Sequence, residues 1–263
     1  MRIAVLMTCH NRVETTLDCL SRLVPQLDSG DKVFLVDDGS TDGTGTRVRA
    51  AYPSVQVIDG DGNLYWAKGM HKAWETAALE GDWDFYLWIN DDVMLKPDAV
   101  TRLCSDYTRQ TSASVLVGAC EYDGKCTYSG TDEKDQRIVP NGHPQIASGW
   151  LNGNVVLVPR LVFEKVGMIS ADYTHARADY DYAERMKLSG VQFCVSSGYV
   201  GLCPFDFETK VRGKGLMERV AMLWKPGYFN LHDLYLIRSR YHGQVAAFAS
   251  CVRLILIVIR GWK

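Results

Sequence analysis

The sequence of 263 residues has eight cysteines but no CxxC pair and no regular framework among them, which argues against zinc ribbons, dithiol redox centres and disulfide-stapled scaffolds. Cys9, Cys19, Cys104, Cys194 and Cys251 sit within apolar runs and read as small buried hydrophobes in a reduced, cytosolic compartment. Internal repeats and low-complexity segments are missing too, so solenoids and disordered linkers are not expected. The opening MRIAVLMTCHNR does not read as a signal peptide, because its apolar run is short and breaks into polar residues. It reads as a first strand. The C-terminal QVAAFASCVRLILIVIRGWK is apolar for only about 16 residues and is interrupted by Arg253, whereas a spanning helix needs ~20. The glycine-rich loop GDGNLYWAKGM is neither a dinucleotide fingerprint nor a P-loop.

What is present is an ordinary globular composition, 47% hydrophobic and 23% charged. The length suits one large α/β domain, or one domain with a tail. Net charge is −2, but its distribution is lopsided. Ten Lys or Arg between 210 and 263 face only Glu218 and Asp233, leaving this stretch at about +8 and the rest at about −10. An acidic body with a basic tail implies that the tail touches something anionic.

Apolar runs at 3–7, 33–36, 55–58, 85–89, 115–119, 155–158 and 191–195 read as strands. Between them lie helical patterns at 14–27, 44–52, 66–80 and 97–110, the last with Pro97 as its first residue, and a later helix that ends at Gly190. Strands that alternate with helices, and read as continuous apolar runs, imply a parallel sheet covered on both faces. The polar segment 121–145 reads as a hairpin or loop rather than a second core. Ligands of such sheets bind beyond the carboxyl ends of the strands, so TCHNR, DDGSTDG, GDGNLYWAKG and NDD should converge on one rim.

Four constellations carry chemistry. Asp37 and Asp38 follow a buried strand and can accept hydrogen bonds from a nucleobase or ribose; the alternative is an Asx-turn with a helix cap at Asp42 or Thr44. In the loop at 59–70, Lys68 can neutralise phosphate; the alternative is a plain connection with Trp66 in the core. Asn90, Asp91 and Asp92 end one of the most apolar segments on adjacent carboxylates, a costly arrangement unless a cation pairs with them. Mg²⁺ takes one or two carboxylates plus phosphate oxygens; the alternative is a solvated turn before the next helix. Asp179 and Asp181 stand at the mouth of a helix, where one could act as a general base or simply cap it, with His175 nearby.

Taken in order, CHNR, VDDGSTDGT, GNLYWAKGM, WINDDV, WLNGNVVLVPR and ADYDYAER resemble family 2 glycosyltransferases of the GT-A fold over roughly residues 1–200. Within that family the likeness is to rhamnosyltransferase-like members that build bacterial surface polysaccharides. The resemblance implies an α/β fold with a Rossmann-like, mostly parallel sheet flanked by helices and a helical C-terminal tail. It divides the chain into a glycosyltransferase domain at 1–205 and a basic amphipathic region at 206–263. Within the domain, residues 1–115 would bind the nucleotide and residues 116–205 the acceptor. The resemblance also implies the site. Asp38, with Asp37 beside it, would hold the nucleobase, and Thr8, Arg12, Asn63, Lys68 and Asp91 would complete the nucleotide contacts. Asn90-Asp91-Asp92 matches the family's DxD motif, with Asp92 the ligand of Mg²⁺ or Mn²⁺ and Asp91 a ribose or metal contact; Asn90 replaces the motif's first Asp. Asp179 falls where the family keeps its catalytic base, Asp181 follows as the second candidate, and Arg185 matches a later Arg; Ala178 replaces the preceding Glu. Cys203 stands near the place where some relatives have a metal-binding His, so no such ligand is carried over.

The implied reaction is inverting transfer of a sugar from dTDP-rhamnose or a UDP-hexose to a glycan or lipid-linked acceptor. A nucleotidyltransferase is a second reading, though TCHNRVE is not the phosphate loop such enzymes carry after the first strand. A non-catalytic GT-A-like binding protein is a third. The expected location is the cytoplasm, with the tail in peripheral contact with anionic lipid at the inner face of the plasma membrane or packed on the domain. No nucleic-acid partner is expected, and a homodimer is left open.

Overall fold

A computed structural model describes residues 1–204 and 214–260. Lys210, Arg212 and Lys263 of the basic tail, and the boundary drawn at 205/206, lie outside the described residues.

The parallel half of the sheet is β1 (Ile3–Cys9), β2 (Lys32–Asp37), β3 (Gln56–Asp59) and β4 (Phe85–Ile89). Past a short β5 (Met94–Leu95) come β6 (Val115–Tyr122), β7 (Lys125–Tyr128), β8 (Gln145–Ala147), β9 (Val155–Pro159) and β10 (Phe193–Leu202). They form one ten-stranded sheet in the order β3-β2-β1-β4-β9-β6-β10-β5, with β7 on β6 and β8 on β10. β9 is antiparallel to both β4 and β6, so β6 and β10 run the same way as the first four strands. The carboxyl ends of these six strands therefore lie along one edge.

Side-chain alternation splits the core into two layers. Ala4 and Leu6 of β1 and Tyr86 and Trp88 of β4 face the layer shared with α3 (Tyr65–Glu80), α5 (Arg160–Val166) and α6 (Ala178–Leu188). Val5, Met7, Leu87 and Ile89 face the layer shared with α1 (Val13–Leu23), α2 (Thr44–Ala51) and α4 (Ala99–Thr108). In the first layer Trp88 stacks edge-on to Trp74 of α3 at 5.5 Å and to Tyr182 of α6 at 5.0 Å. These aromatic contacts fix α6, which carries Asp179, against the strand that leads into Asp91 and Asp92.

Three local expectations are revised. The first helix stops at Leu23 and tightens into a 3₁₀ turn at Val24–Gln26, because Pro25 cannot donate the next helical hydrogen bond. Pro97 lies outside α4, whose N-terminal flank is Asp98 at φ −109° and ψ 13°. β10 runs seven residues past the predicted strand; the Ser- and Gly-rich 196–202 hides it from the apolar pattern, and its register shifts between Val195 and Tyr199. The hairpin expected in the middle of the chain is β6–β7, turning at Asp123 and Gly124, both at positive φ.

The C-terminal segment is α7 (Leu216–Ala221), α8 (Leu231–His242) and α9 (Gln244–Arg260). α8 is docked on the domain: Asp233 is fully buried and accepts hydrogen bonds from the Thr174 amide and hydroxyl. This part of the basic tail is thus packed on the domain, with Leu234 and Ile237 buried.

Candidate active site

A cleft of about 2010 Å³ opens along the carboxyl edge of the sheet. Thr8, Arg12, Asp38, Asn90, Asp91, Asp92 and Asp179 all line it. Residues far apart in sequence meet here because each lies at or just past the carboxyl end of a strand, or at the start of a helix, along the same edge.

Asp38 is held by the loop after β3. Its Oδ1 accepts from the amides of Gly62 (2.9 Å) and Leu64 (3.2 Å), and its Oδ2 from that of Tyr65 (2.8 Å). The tight turn that brings this loop in needs Gly39: at φ +67°, a Cβ there would sit 2.8 Å from the Gly62 nitrogen. Asp37 is not among the cleft-lining residues; its Oδ1 accepts from the Ser40 amide and braces the turn. Asn63 and Lys68 do not line the cleft either. Asn63 instead bonds back to Asp61 within its own loop.

Asp91 and Asp92 share one counter-ion. Arg12 Nη1 donates to Asp91 Oδ1 at 3.1 Å and to Asp92 Oδ2 at 2.9 Å. Asp91 is buried, and its other oxygen accepts from Thr16 at 3.2 Å. Burial pushes its carboxyl up to about 6, opposed by Arg12 and reinforced by Asp92. Asp92 is more open, with a side chain 39% exposed, yet its Oδ1 is buried without a partner. An orphaned carboxylate oxygen beside a second acid is a fitting donor for a hard cation. Among the described residues no group of three or more His, Cys, Asp or Glu could hold a metal by itself. A Mg²⁺ or Mn²⁺ here would need oxygens from the ligand, as those ions commonly do with diphosphates.

Asn90 ties this turn to β9. Its Oδ1 accepts from Trp66 Nε1 at 2.7 Å, and its Nδ2 donates to Asn154 Oδ1 at 3.0 Å. An Asp at 90 could not make the second bond and would add a third negative charge beside Asp91 and Asp92. Next in the chain to Asn154, the Gly153 amide donates to Asp179 Oδ2 at 3.2 Å. A Cβ at Gly153 would lie 2.5 Å from the Trp66 ring, so only glycine lets this segment reach Asp179. Residues 153 and 154 thereby link the acid pair to the acid on α6. The sequence singled out neither, nor Trp66 as a cleft residue.

Asp179 stands in the first turn of α6 and lines the cleft. Desolvation pushes its carboxyl up to about 6, against the amides of Gly153 and Tyr180. The flank before it is Arg177, in the left-handed region at φ 73°, so Asp179 is not the cap considered from sequence.

Asp181 is not brought to the cleft, which corrects its placement beside Asp179 as a second base. It is fully buried on the other side of α6. Its Oδ1 accepts from Tyr173 (3.0 Å), Arg240 (2.8 Å) and Tyr241 (2.8 Å), and its Oδ2 from Arg185 (2.8 Å). Burial raises its carboxyl, but the bonds from Arg185 and Arg240 outweigh that and hold it below the usual range. A carboxylate so saturated with donors cannot take a proton from a substrate. It anchors α8, and Arg185, which also donates to the carbonyls of Val166 and Met168, belongs to the same knot. Arg240→Met should lower stability by about 2–3 kcal/mol, because Asp181 stays buried with less compensation. Thermal unfolding checks this; a change below about 0.5 kcal/mol would show that the knot is not holding the tail.

Comparison with known proteins agrees with this geometry. Residues 4–161 match the family described as Glycosyl transferase family 2. Two curated Mycobacterium tuberculosis proteins (strains CDC 1551 / Oshkosh and ATCC 25618 / H37Rv), each named N-acetylglucosaminyl-diphospho-decaprenol L-rhamnosyltransferase, are 25% identical over 191 residues. The match covers 60% of this chain and 61% of theirs, so it spans under two thirds of those relatives. Among solved structures, a mannosyltransferase from Pyrobaculum calidifontis in complex with GDP-Man and Mn²⁺ superposes with a TM-score of 0.59 at 14% identity, covering 98% of this chain and 69% of that one. S. aureus TarS superposes at 0.58 and 14% identity, covering 98% and 81%. These likenesses show the GT-A fold. Because the family match runs from β1 through β9, across Asp38, Asp91 and Asp92 on the cleft edge, this chain belongs to glycosyl transferase family 2.

Proposed function

We propose that the protein transfers a sugar, with inversion, from a nucleoside-diphosphate donor to a hydroxyl of a glycan or lipid-linked acceptor in surface-polysaccharide synthesis. The observation that carries this is the single cleft lined by Asp91, Asp92 and Asp179. The name of the mycobacterial relatives favours dTDP-rhamnose and a lipid-diphosphate-linked acceptor sugar over a UDP-hexose donor.

In this reading Asp38 and the loop it holds would flank the nucleobase, and Thr8 and Arg12, which line the same cleft, would contact the nucleotide. Asp91 and Asp92 would hold Mg²⁺ or Mn²⁺, which supplies positive charge for a leaving diphosphate. Arg12, already on both acids, is placed to contribute charge at the same spot. The acceptor hydroxyl attacks the anomeric carbon from the face opposite the diphosphate. Its proton passes to Asp179, the new glycosidic bond forms, and the old bond to phosphate breaks with its electrons on the diphosphate. We assign the donor to residues 1–115 and the acceptor to 116–205, with the C-terminal segment completing the acceptor wall through Tyr228, Arg238 and Tyr241.

Asp179 must be ionised to act. kcat/KM should therefore rise about tenfold per pH unit below about 6 and level off above it. A profile flat between pH 5 and 7 would place the base elsewhere. The direct test is release of nucleoside diphosphate from a panel of nucleotide sugars with Mn²⁺. No turnover of any donor, by a folded protein that binds none of them in thermal shift, would overturn the reading.

A further inference from the structure

We propose that α9 is a docking surface for an anionic phospholipid bilayer. Val245, Phe248, Val252, Leu256 and Ile259 are 86%, 68%, 39%, 44% and 49% exposed. At 100° per residue these five fall within about 80° of one another, one continuous stripe along the helix. Ala247 and Val258, on the opposite side, are buried where α9 packs in the C-terminal segment. The stripe thus lies off the packed face of the helix. Arg253 and Arg260, both exposed, lie along one flank of it.

The charge around the stripe selects the occupant. From Leu234 to the end of the chain there is no Asp or Glu, while Arg253 and Arg260 flank the stripe. A second copy would set like charges beside like. A phosphate-rich surface complements them, with the apolar stripe in the headgroup–acyl boundary and the arginines reaching the phosphates. No described helix is long and apolar enough to cross a membrane. At 1.5 Å per residue the 17 residues of α9 span about 26 Å, and one face is already committed to the protein. The geometry is that of a helix lying on a bilayer. α8 precedes α9 directly and is clamped to α6 by the bonds of Arg240 and Tyr241 to Asp181. Docking would therefore hold the Asp179 helix near the lipid surface. That consequence rests on the reading of a lipid-linked acceptor; the docking itself does not.

The test is co-sedimentation of the full chain with vesicles of phosphatidylcholine, alone or with phosphatidylglycerol. Binding should need the anionic lipid and weaken with salt. The double variant Phe248→Glu/Leu256→Glu should lose about tenfold or more in partition. Arg253→Gln/Arg260→Gln should lose about fivefold per charge and flatten the salt dependence. Both variants should keep the wild-type thermal transition and wild-type turnover on a water-soluble acceptor. Wild-type protein left in the supernatant with anionic vesicles overturns the proposal, as does a double variant that binds equally well. Light scattering that shows a dimer, made monomeric by Phe248→Glu/Leu256→Glu, assigns the stripe to a second copy and also overturns it. A chain that binds vesicles yet turns over no nucleotide sugar keeps this inference and refutes the proposed activity instead.

Discussion

Asp179→Asn should lower kcat by ~10²–10⁴-fold while donor binding stays within about twofold of wild type. The amide has nearly the same shape and can still accept the hydrogen bond that Gly153 gives to Oδ2, though its nitrogen cannot accept the one Tyr180 gives to Oδ1. What it cannot do is take a proton. Asp179 lines the cleft, whereas Asp181, two residues on, is consumed by four hydrogen bonds in the interior. The loss should also come without loss of stability. A carboxyl raised to about 6 binds its proton more tightly folded than unfolded, so its contribution to stability falls as pH rises from about 4 to about 6. Asn has no charge to desolvate, so the variant should unfold at the same temperature as wild type or higher at pH 8. Steady-state kinetics with donor titrations, together with thermal scans at pH 5 and pH 8, separate the outcomes. Unchanged kcat would remove Asp179 from the chemistry. A loss of kcat accompanied by a lowered unfolding temperature would make its role structural.

The two acids of α6 mark where sequence reasoning stops. Residues two apart on a helix point about 200° away from each other, so Asp179 and Asp181 could not both face one cleft. The clue to which one turned inward was present: Arg185 lies four residues after Asp181 on the same helical face, and Ala183 holds the matching place after Asp179. The strands and the acidic rim were legible because both are local signals, an apolar run and the polar residues that end it. The Trp66–Asn90–Asn154 link was not, since it depends on β4 pairing with β9, where Ile89 stands beside Val155 across 66 positions of sequence. Nor was the knot around Asp181, because its donors Arg240 and Tyr241 sit in a tail whose composition reads equally well as a membrane interface. α8 turns its polar side chains inward onto Asp181, and α9 leaves an apolar stripe outside.

Asp92→Ala should reduce kcat/KM by about 10³-fold or more and remove the response of turnover to Mn²⁺. Two explanations of such a loss have to be told apart, because Asp92 also accepts a hydrogen bond from Arg12 at 2.9 Å. If orienting Arg12 were the whole of its function, Asp92→Asn would preserve activity, since an amide oxygen accepts the same bond. If the carboxylate holds a divalent cation, Asn should fail nearly as badly as Ala, because it brings no charge. The structure favours the second outcome. Arg12 keeps Asp91 as a partner in either variant, and the Asp92 oxygen that Arg12 does not touch is buried with nothing bonded to it. Electron paramagnetic resonance of Mn²⁺ titrated into protein with nucleoside diphosphate provides a readout independent of turnover. Wild type should sequester the ion in the presence of nucleotide, and both variants should leave it free. Equal Mn²⁺ binding by wild type and Asp92→Asn would shift the role of this acid from the cation to the guanidinium. The positive charge opposite the leaving diphosphate would then come from Arg12.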